Sequence, residues 1–235
     1  MARTAVLFTL VATLLVLPSS KSLGGNVAGK ANFKGSKPAV SKIRMNADAR
    51  CMKLHAGKEV SSEQVVVNPN NTLRYVFVYV KKGLEGKKFS IPTEKATLDQ
   101  RGCMYTPHVF GIMANQPIEI VNSDPTMHNI HALSNNSKGF NIGQPKGVKH
   151  VKTFAKPEVM VRVKCDVHSW MACYVGVLDH PFFAVTDGKG NYEIKNLPAG
   201  EYELEAWHEK YGAQTMTVKV EAAGTKSVDF TYESK

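Results

Sequence analysis

The sequence predicts an all-β protein built from sandwich units. Many short segments alternate apolar and polar residues, which is the two-residue period of a strand with one buried face. Turn signals rich in Gly, Pro, Asn and Asp separate these segments. No amphipathic helix longer than about ten residues is apparent, although residues 47–54 favour a short one. Short strands between frequent turns are typical of two sheets packed face to face.

Residues 1–24 have the pattern of a secretory signal. Arg3 supplies a positive start, Ala5 to Leu17 is an apolar run, and Pro18 to Ser20 forms a small, polar exit. The apolar run is shorter than the roughly 20 residues of a membrane-spanning helix, and no other segment approaches that length. The sequence therefore predicts export, to the periplasm or beyond, and no membrane span.

Residues 25–180 are predicted to form the first folded unit. A strand-like stretch covers residues 26–32, and a hairpin joins residues 65–67 to residues 73–80 through the turn at 68–71. We expect these early strands to extend the sheets of the first unit or to cover one of its faces.

Four residues in two segments are candidate metal ligands. Cys165, His168 and Met171 have the spacing Cys-x2-His-x2-Met, and His128 lies upstream. That spacing is too short for a helix to turn all three side chains inward, but it suits a loop between two strands. A thiolate, two imidazoles and a weak axial thioether suit copper as it changes oxidation state. Because a binuclear centre needs a second Cys four residues away, which Cys165 lacks, we expect one copper ion.

In these residues the chain resembles the cupredoxin family, and the amicyanins most closely. The likeness covers roughly residues 95–180 and rests on the Cys-x2-His-x2-Met loop and on the His-Asn-Ile-His sequence at 128–131. It implies a Greek-key β-sandwich, one type 1-like copper ion held by the four residues above, and outer-sphere electron transfer. His131 matches a position that does not bind the metal. The resemblance also implies an exposed edge of His168 as the electron exit, with Trp170 and Pro125 in the surrounding apolar patch.

Two polar residues next to the proposed ligands are candidates for supporting hydrogen bonds. Asn129 follows His128, and Asp166 follows Cys165. Partners of this kind orient metal-binding side chains. We expect both residues to fix the ligand segments.

The four cysteines suggest one disulfide. Export implies an oxidising compartment, and Cys51 and Cys103 both lie near turn-rich stretches rather than inside apolar strands. We expect these two to pair, although the spacing alone leaves other pairings open. Cys173 is then a free, buried strand residue. A zinc site formed by Cys51, His55, Cys103 and His108 is the weaker alternative.

Residues 181–235 are predicted to form a second, smaller β-sandwich. An Asp-Gly-x-Gly turn begins at Asp187, a Leu-Pro-x-Gly-x-Tyr sequence begins at Leu197, and alternating strands close the chain. The pattern resembles carboxypeptidase-regulatory-like or Cna-B-type modules, which implies an adhesive, spacing or stabilising role. We expect the two units to fold separately. His180 and His208 are open as further metal ligands or as partners of backbone groups.

The formal net charge is +10, which favours acidic partners or anionic surfaces. The basic residues are dispersed rather than interleaved with aromatic residues, so we do not expect nucleic-acid binding. A c-type cytochrome or another acidic electron-transfer protein fits this charge, as does contact with a cell-envelope surface.

These observations predict an exported mononuclear copper protein that transfers electrons and is not an enzyme. The remaining histidines form no His-x-His pair or facial triad that would build a second, open copper site. Two alternatives are a copper carrier or storage protein, and a structural or carbohydrate-binding module of the cell envelope. Intense visible absorption from a copper–thiolate bond would separate them.

Overall fold

The computed structural model describes residues 24–234, and the predicted signal segment lies outside them apart from Gly24. The elements in chain order are β1 (Gly25–Lys34), β2 (Lys42–Ile43), α1 (Ala49–Leu54), β3 (Val60–Ser61), β4 (Phe77–Lys82), β5 (Ala96–Gln100), β6 (Tyr105–Thr106), β7 (Val109–Met113), β8 (Ile118–Asn122), β9 (His128–Leu133), β10 (Phe140–Gln144), β11 (Lys149–Lys152), β12 (Glu158–Lys164), β13 (Ala172–Leu178), β14 (Phe183–Val185), β15 (Asn191–Leu197), β16 (Gly200–His208), β17 (Gly212–Val220), β18 (Thr225–Ser227) and β19 (Phe230–Glu233). The predicted all-β class is confirmed. No helix among the described residues is long and apolar enough to cross a bilayer.

The first sandwich pairs a five-stranded sheet, in the order β10-β9-β12-β13-β7, with a four-stranded sheet, in the order β11-β8-β5-β6. Ile112, Ile130 and Val161 are among the buried residues of its core. Of the alternating valines in β12, Val161 and Val163 are buried, but Val159 is 38% exposed. A shift in the pairing of β12 with β13 between Glu158 and Val161 explains the difference, because an irregular register changes which side chains face the core.

The second sandwich draws strands from both ends of the chain. One sheet has the order β14-β4-β16-β17, and in the other β1 lies between β15 and β18 and also pairs with β19. This pairing corrects the prediction that the early strands belong to the first unit. Val27, Val78, Ile194 and Phe230 share one buried cluster. Residues 181–235 do not supply every strand of this sandwich. β1 is the inner strand of one sheet, and β4 lies between β14 and β16 in the other.

The two sandwiches meet through an aromatic cluster. Phe77 is fully buried and lies with Tyr79, Val109 and Leu178 in a separate core cluster. A Cβ atom at Gly176 would lie 2.4 Å from the ring of Phe77. The glycine on β13 therefore allows the ring to press directly against the backbone of the first sandwich.

Residues between β1 and β4 cover one end of the first sandwich. They include the hairpin of β2 and β3 and the short helix α1, which confirms the predicted helix near residues 47–54. Asp48 caps α1 by accepting hydrogen bonds from the backbone N–H groups of Arg50 and Cys51. A disulfide joins Cys51 to Cys103, which lies between β5 and β6, so the predicted pairing is confirmed.

Candidate metal centre

Strand ends place the four predicted ligands. His128 begins β9, Cys165 directly follows β12, and Met171 directly precedes β13. The loop between β12 and β13 carries His168. It is closed by two backbone hydrogen bonds, from Cys165 N to the Met171 carbonyl at 3.1 Å and from Met171 N to the His168 carbonyl at 2.9 Å. Because β12 also pairs with β9, the loop and His128 lie at the same end of the sheet.

Three potential ligand atoms converge in the interior. The Nδ1 atoms of His128 and His168 are 2.9 Å apart, and Cys165 Sγ lies 3.9 Å from His168 Nδ1. These three residues form a group whose ligand atoms all lie within 4.8 Å of one another. Each of the three is at most 2% exposed, and Met171 is fully buried. The fold thus brings together the thiol and both imidazoles that the sequence singled out.

Two carboxylates hold the far sides of the imidazole rings. His128 Nε2 lies 2.9 Å from Asp124 Oδ2, and His168 Nε2 lies 3.0 Å from Asp48 Oδ2. An ionised carboxylate only accepts hydrogen bonds, so each Nε2 is the donor. This arrangement directs the Nδ1 atoms toward the shared centre and raises their strength as ligands.

Neighbouring hydrogen-bond donors keep the carboxylates of Asp48 and Asp124 ionised. The hydrogen bond from His168, aided by the backbone N–H groups of Cys51 and Arg50, lowers the pKa of Asp48 to about 2. Burial opposes ionisation of Asp124, but hydrogen bonds from His128 and from the backbone of Cys103 and Gly102 outweigh it and lower the pKa of Asp124.

Cys165 lies in surroundings that favour its thiolate. Burial alone would raise the pKa of the thiol, but hydrogen bonds from His128 and from the backbone N–H groups of Asn129, His168 and Val167 lower it overall. Burial also disfavours the charged form of His128, yet Asp124 and Cys165 raise the pKa of His128 to about 9. A metal cation would bind the deprotonated forms of both side chains, so its binding would release protons.

The two predicted supporting residues tie the loop to the neighbouring strands. Asn129 Oδ1 accepts hydrogen bonds from the backbone of Asp166 at 2.5 Å and of Val167 at 3.4 Å. Asp166 Oδ2 accepts from Asn141 at 2.8 Å and from His131 at 2.9 Å. His131 thus lies in this outer network and outside the three-residue group.

Sequence reasoning missed Asp48 and Asp124. Asp124 carried a local signal, because it precedes His128 by four residues. Asp48 is separated from His168 by 120 positions. The only sequence signal for the location of Asp48 was the predicted disulfide, because Cys51 lies three residues after Asp48 and pairs with Cys103.

The expectation that an edge of His168 is exposed to solvent is wrong. His168 is 2% exposed, and Asp48 Oδ2 and Cys51 Sγ lie 3.0 and 3.6 Å from its Nε2 atom. The ring of Trp170 packs on it with centroids 5.0 Å apart. Trp170 is partly exposed and Pro125 is exposed, so only these two members of the implied patch reach solvent.

The remaining candidate ligands have other partners. The disulfide removes Cys51 and Cys103 from the alternative zinc site. His180 Nε2 lies 2.8 Å from the Val80 carbonyl. His208 Nδ1 accepts hydrogen bonds from the backbone of Lys210 and Tyr211. His108 Nε2 lies 2.7 Å from Glu209 Oε1 where the two sandwiches meet.

Comparison with protein families and known structures gives matches to parts of the chain. Residues 177–233 match the carboxypeptidase regulatory-like domain. The comparison with curated proteins found no match. The family match agrees with the predicted C-terminal module, and β1 and β4 complete the sandwich from outside the matched residues.

Several copper proteins are among the similar solved structures. The Cu-containing nitrite reductase NirK of Thermus scotoductus SA-01 is 17% identical, with 50% of this chain and 28% of that chain covered and a TM-score of 0.35. A purple cupredoxin of Nitrosopumilus maritimus is 21% identical, with 35% and 99% covered and a TM-score of 0.31. An oxidised amicyanin variant is 14% identical, with 43% and 97% covered and a TM-score of 0.33. Both predicted resemblances thus have counterparts among these matches.

Proposed function

We propose that this protein is an exported mononuclear copper protein that exchanges single electrons with a redox partner protein. The observation that carries the proposal is the convergence of His128 Nδ1, His168 Nδ1 and Cys165 Sγ in a buried centre whose two imidazoles are each fixed by a carboxylate. Met171, buried at the end of the same loop, is the fourth donor in this proposal.

The donor set fits copper better than zinc. Structural zinc sites are usually closed by four Cys or His ligands, whereas two imidazoles, one thiolate and a weak thioether are typical of copper sites for electron transfer. When bound, copper would supply a one-electron couple between its two oxidation states. Cys165 is held toward its thiolate form, and the closed loop and the two carboxylates limit movement of the ligands.

Burial favours electron transfer over catalysis. All four proposed ligands are at most 2% exposed, so the centre offers no open position that a substrate could reach. Trp170, which packs on His168 and is partly exposed, is the aromatic side chain that links this ligand to the surface. Electron transfer does not require direct contact between the metal and the partner, so a bound copper ion would exchange electrons through this cover.

Charge and cysteine use support the proposed partner and compartment. The net charge of +10 favours an acidic redox protein such as a c-type cytochrome, because opposite charges raise the rate of encounter. The signal pattern of residues 1–24 and the disulfide both fit an oxidising, extracytoplasmic location such as the periplasm. The module that includes residues 177–233 would serve for spacing or for attachment at the cell envelope.

Copper titration of the mature, metal-free chain tests the proposal. One equivalent of Cu(II) should produce intense visible absorption, and Cys165→Ser should abolish it because a hydroxyl is a far poorer ligand for copper. Cys173→Ser is the matched control, since Cys173 is buried in the same sandwich but lies outside the ligand group. Retention of the band in Cys165→Ser, with an unchanged circular dichroism spectrum, would falsify the ligand assignment.

Electron exchange separates a redox protein from a copper carrier or an envelope module. Stopped-flow mixing of the reduced protein with an acidic oxidised cytochrome c should develop the visible band of the Cu(II) form as the haem iron is reduced, with a rate that falls as salt rises. A carrier would instead lose copper to a chelator or acceptor without a change of oxidation state. A purely structural module would not bind copper stoichiometrically.

A further inference from the structure

Helix α1 and its cap cover the face of His168 that points away from the ligand group. Asp48 Oδ2 lies 3.0 Å from His168 Nε2, and Cys51 Sγ lies 3.6 Å from the same atom. Thr126 Oγ1, beside His128 in the chain, also reaches Asp48 Oδ2 at 3.4 Å. Asp48 is thus anchored on both halves of the centre, although it belongs to a segment outside the first sandwich's two main sheets.

The disulfide connects the supports of both imidazoles. One end, Cys51, lies on the helix that Asp48 caps. At the other end, the backbone N–H of Cys103 donates to Asp124 Oδ2 at 2.6 Å, and Asp124 Oδ2 holds His128. A single covalent bridge therefore joins the structure that supports His168 to the structure that supports His128.

The two oxygens of Asp48 have different tasks. Oδ1 accepts from the backbone of Arg50 at 2.7 Å and of Cys51 at 3.2 Å, which caps the helix. Oδ2 faces His168. Asn caps helices about as well as Asp, so Asp48→Asn retains the capping oxygen and replaces the charged oxygen on His168 with an amide group.

We propose that Asp48 is a positioning residue for His168, and that the Cys51–Cys103 disulfide clamps it over the ring. The clamp fixes the ring orientation, directs Nδ1 toward His128 and Cys165, and closes the edge of His168 to solvent and to partners. The role of His168 as a metal ligand rests on the proposed function, whereas the clamp itself is a property of the metal-free chain.

Chemical modification of the metal-free chain tests the clamp directly. Diethyl pyrocarbonate acylates accessible imidazoles, and peptide mass mapping gives the rate for each histidine. His168 should be protected in the oxidised chain, and its rate should approach that of the partly exposed His131 in the double variant C51S/C103S. Three buried histidines serve as internal controls, because they stay protected while the fold is intact: His108, where the two sandwiches meet, and His180 and His208 in the second sandwich.

Copper-loaded variants test the positioning. Asp48→Asn should lower Cu(II) affinity roughly 10- to 100-fold, as expected for the loss of a partner that orients a ligand. If Cu(I) affinity falls less, the reduction potential rises by about 59 mV for each tenfold difference. Asp187→Asn is the matched control, since Asp187 accepts from the backbone of Lys189 and Asn191 in a turn of the second sandwich and loses the same charge.

Different results overturn the two proposals. If His168 stays protected in C51S/C103S while the controls report a native fold, the disulfide does not clamp the ring. A wild-type affinity and potential in Asp48→Asn would show that the carboxylate does not position His168. If C51S/C103S is unfolded, the modification rate of His168 in Asp48→Asn is measured instead. A faster rate than in the unmutated chain would support the clamp, and an unchanged rate would refute it. Absence of a coloured copper complex in every variant would refute the proposed function and leave the result for the metal-free clamp standing.

Discussion

Removal of residues 182–235 should destabilise the N-terminal part of the chain and not merely delete a separate module. The deletion removes every hydrogen-bonded neighbour of β1 and β4 in the two sheets of the second sandwich. It also uncovers the buried apolar side chains that the N-terminal segment contributes to that core, namely Val27, Ala31, Phe33, Leu73, Val76, Val78, Val80 and Leu84.

The size of the effect follows from the buried surface. Full burial of a large apolar side chain contributes about 1.5–3 kcal/mol, so the loss is on the order of 10 kcal/mol. A whole domain is stable by about 5–15 kcal/mol. Residues 25–34 and 73–84 therefore cannot keep their structure in the shortened chain, and their apolar faces become exposed.

Size-exclusion chromatography, binding of a hydrophobic dye and urea unfolding measure this outcome. The shortened chain should associate, bind the dye, and lose the cooperative transition of the second sandwich. Addition of residues 182–235 as a separate polypeptide is the control and should restore a monomeric, dye-free complex. A shortened chain that is monomeric and unfolds at the same urea concentration as the full chain would refute the shared sandwich.

Three further results are expected. Gly176→Ala should destabilise the protein by about 1–3 kcal/mol, because the added Cβ meets the ring of Phe77 at 2.4 Å, and an unchanged urea midpoint would contradict that packing. Burial lowers the pKa of His208 to about 4, so the unfolded chain binds a proton that the folded chain does not, and about 3 kcal/mol of stability should be lost as pH falls from 6.5 to 4. Urea unfolding across that range should show a smaller loss in His208→Gln, and an equal slope would count against a buried neutral imidazole. Met171→Leu should keep copper bound but raise the reduction potential, since a weak axial donor is lost; an unchanged potential in voltammetry would place Met171 outside the ligand set.

Local sequence was sufficient for those features that depend on neighbouring residues. The spacing of Cys165, His168 and Met171 requires a tight loop between strands, and the structure has that loop between β12 and β13. The turn-rich surroundings of Cys51 and Cys103 were enough to suggest their bond. The alternating pattern predicted strands because a half-buried strand needs one apolar face wherever it lies.

The same alternation could not assign a strand to a sheet. The apolar face of β1 would suit the core of either sandwich. Only the pairing of β1 with β15, β18 and β19 decides that it belongs to the second. The burial of His168 was hidden for a similar reason, since Asp48 reaches it across 120 positions of sequence. Spacing along the chain determines which donor atoms share a loop, whereas packing between distant segments determines which groups surround those atoms and whether solvent reaches them.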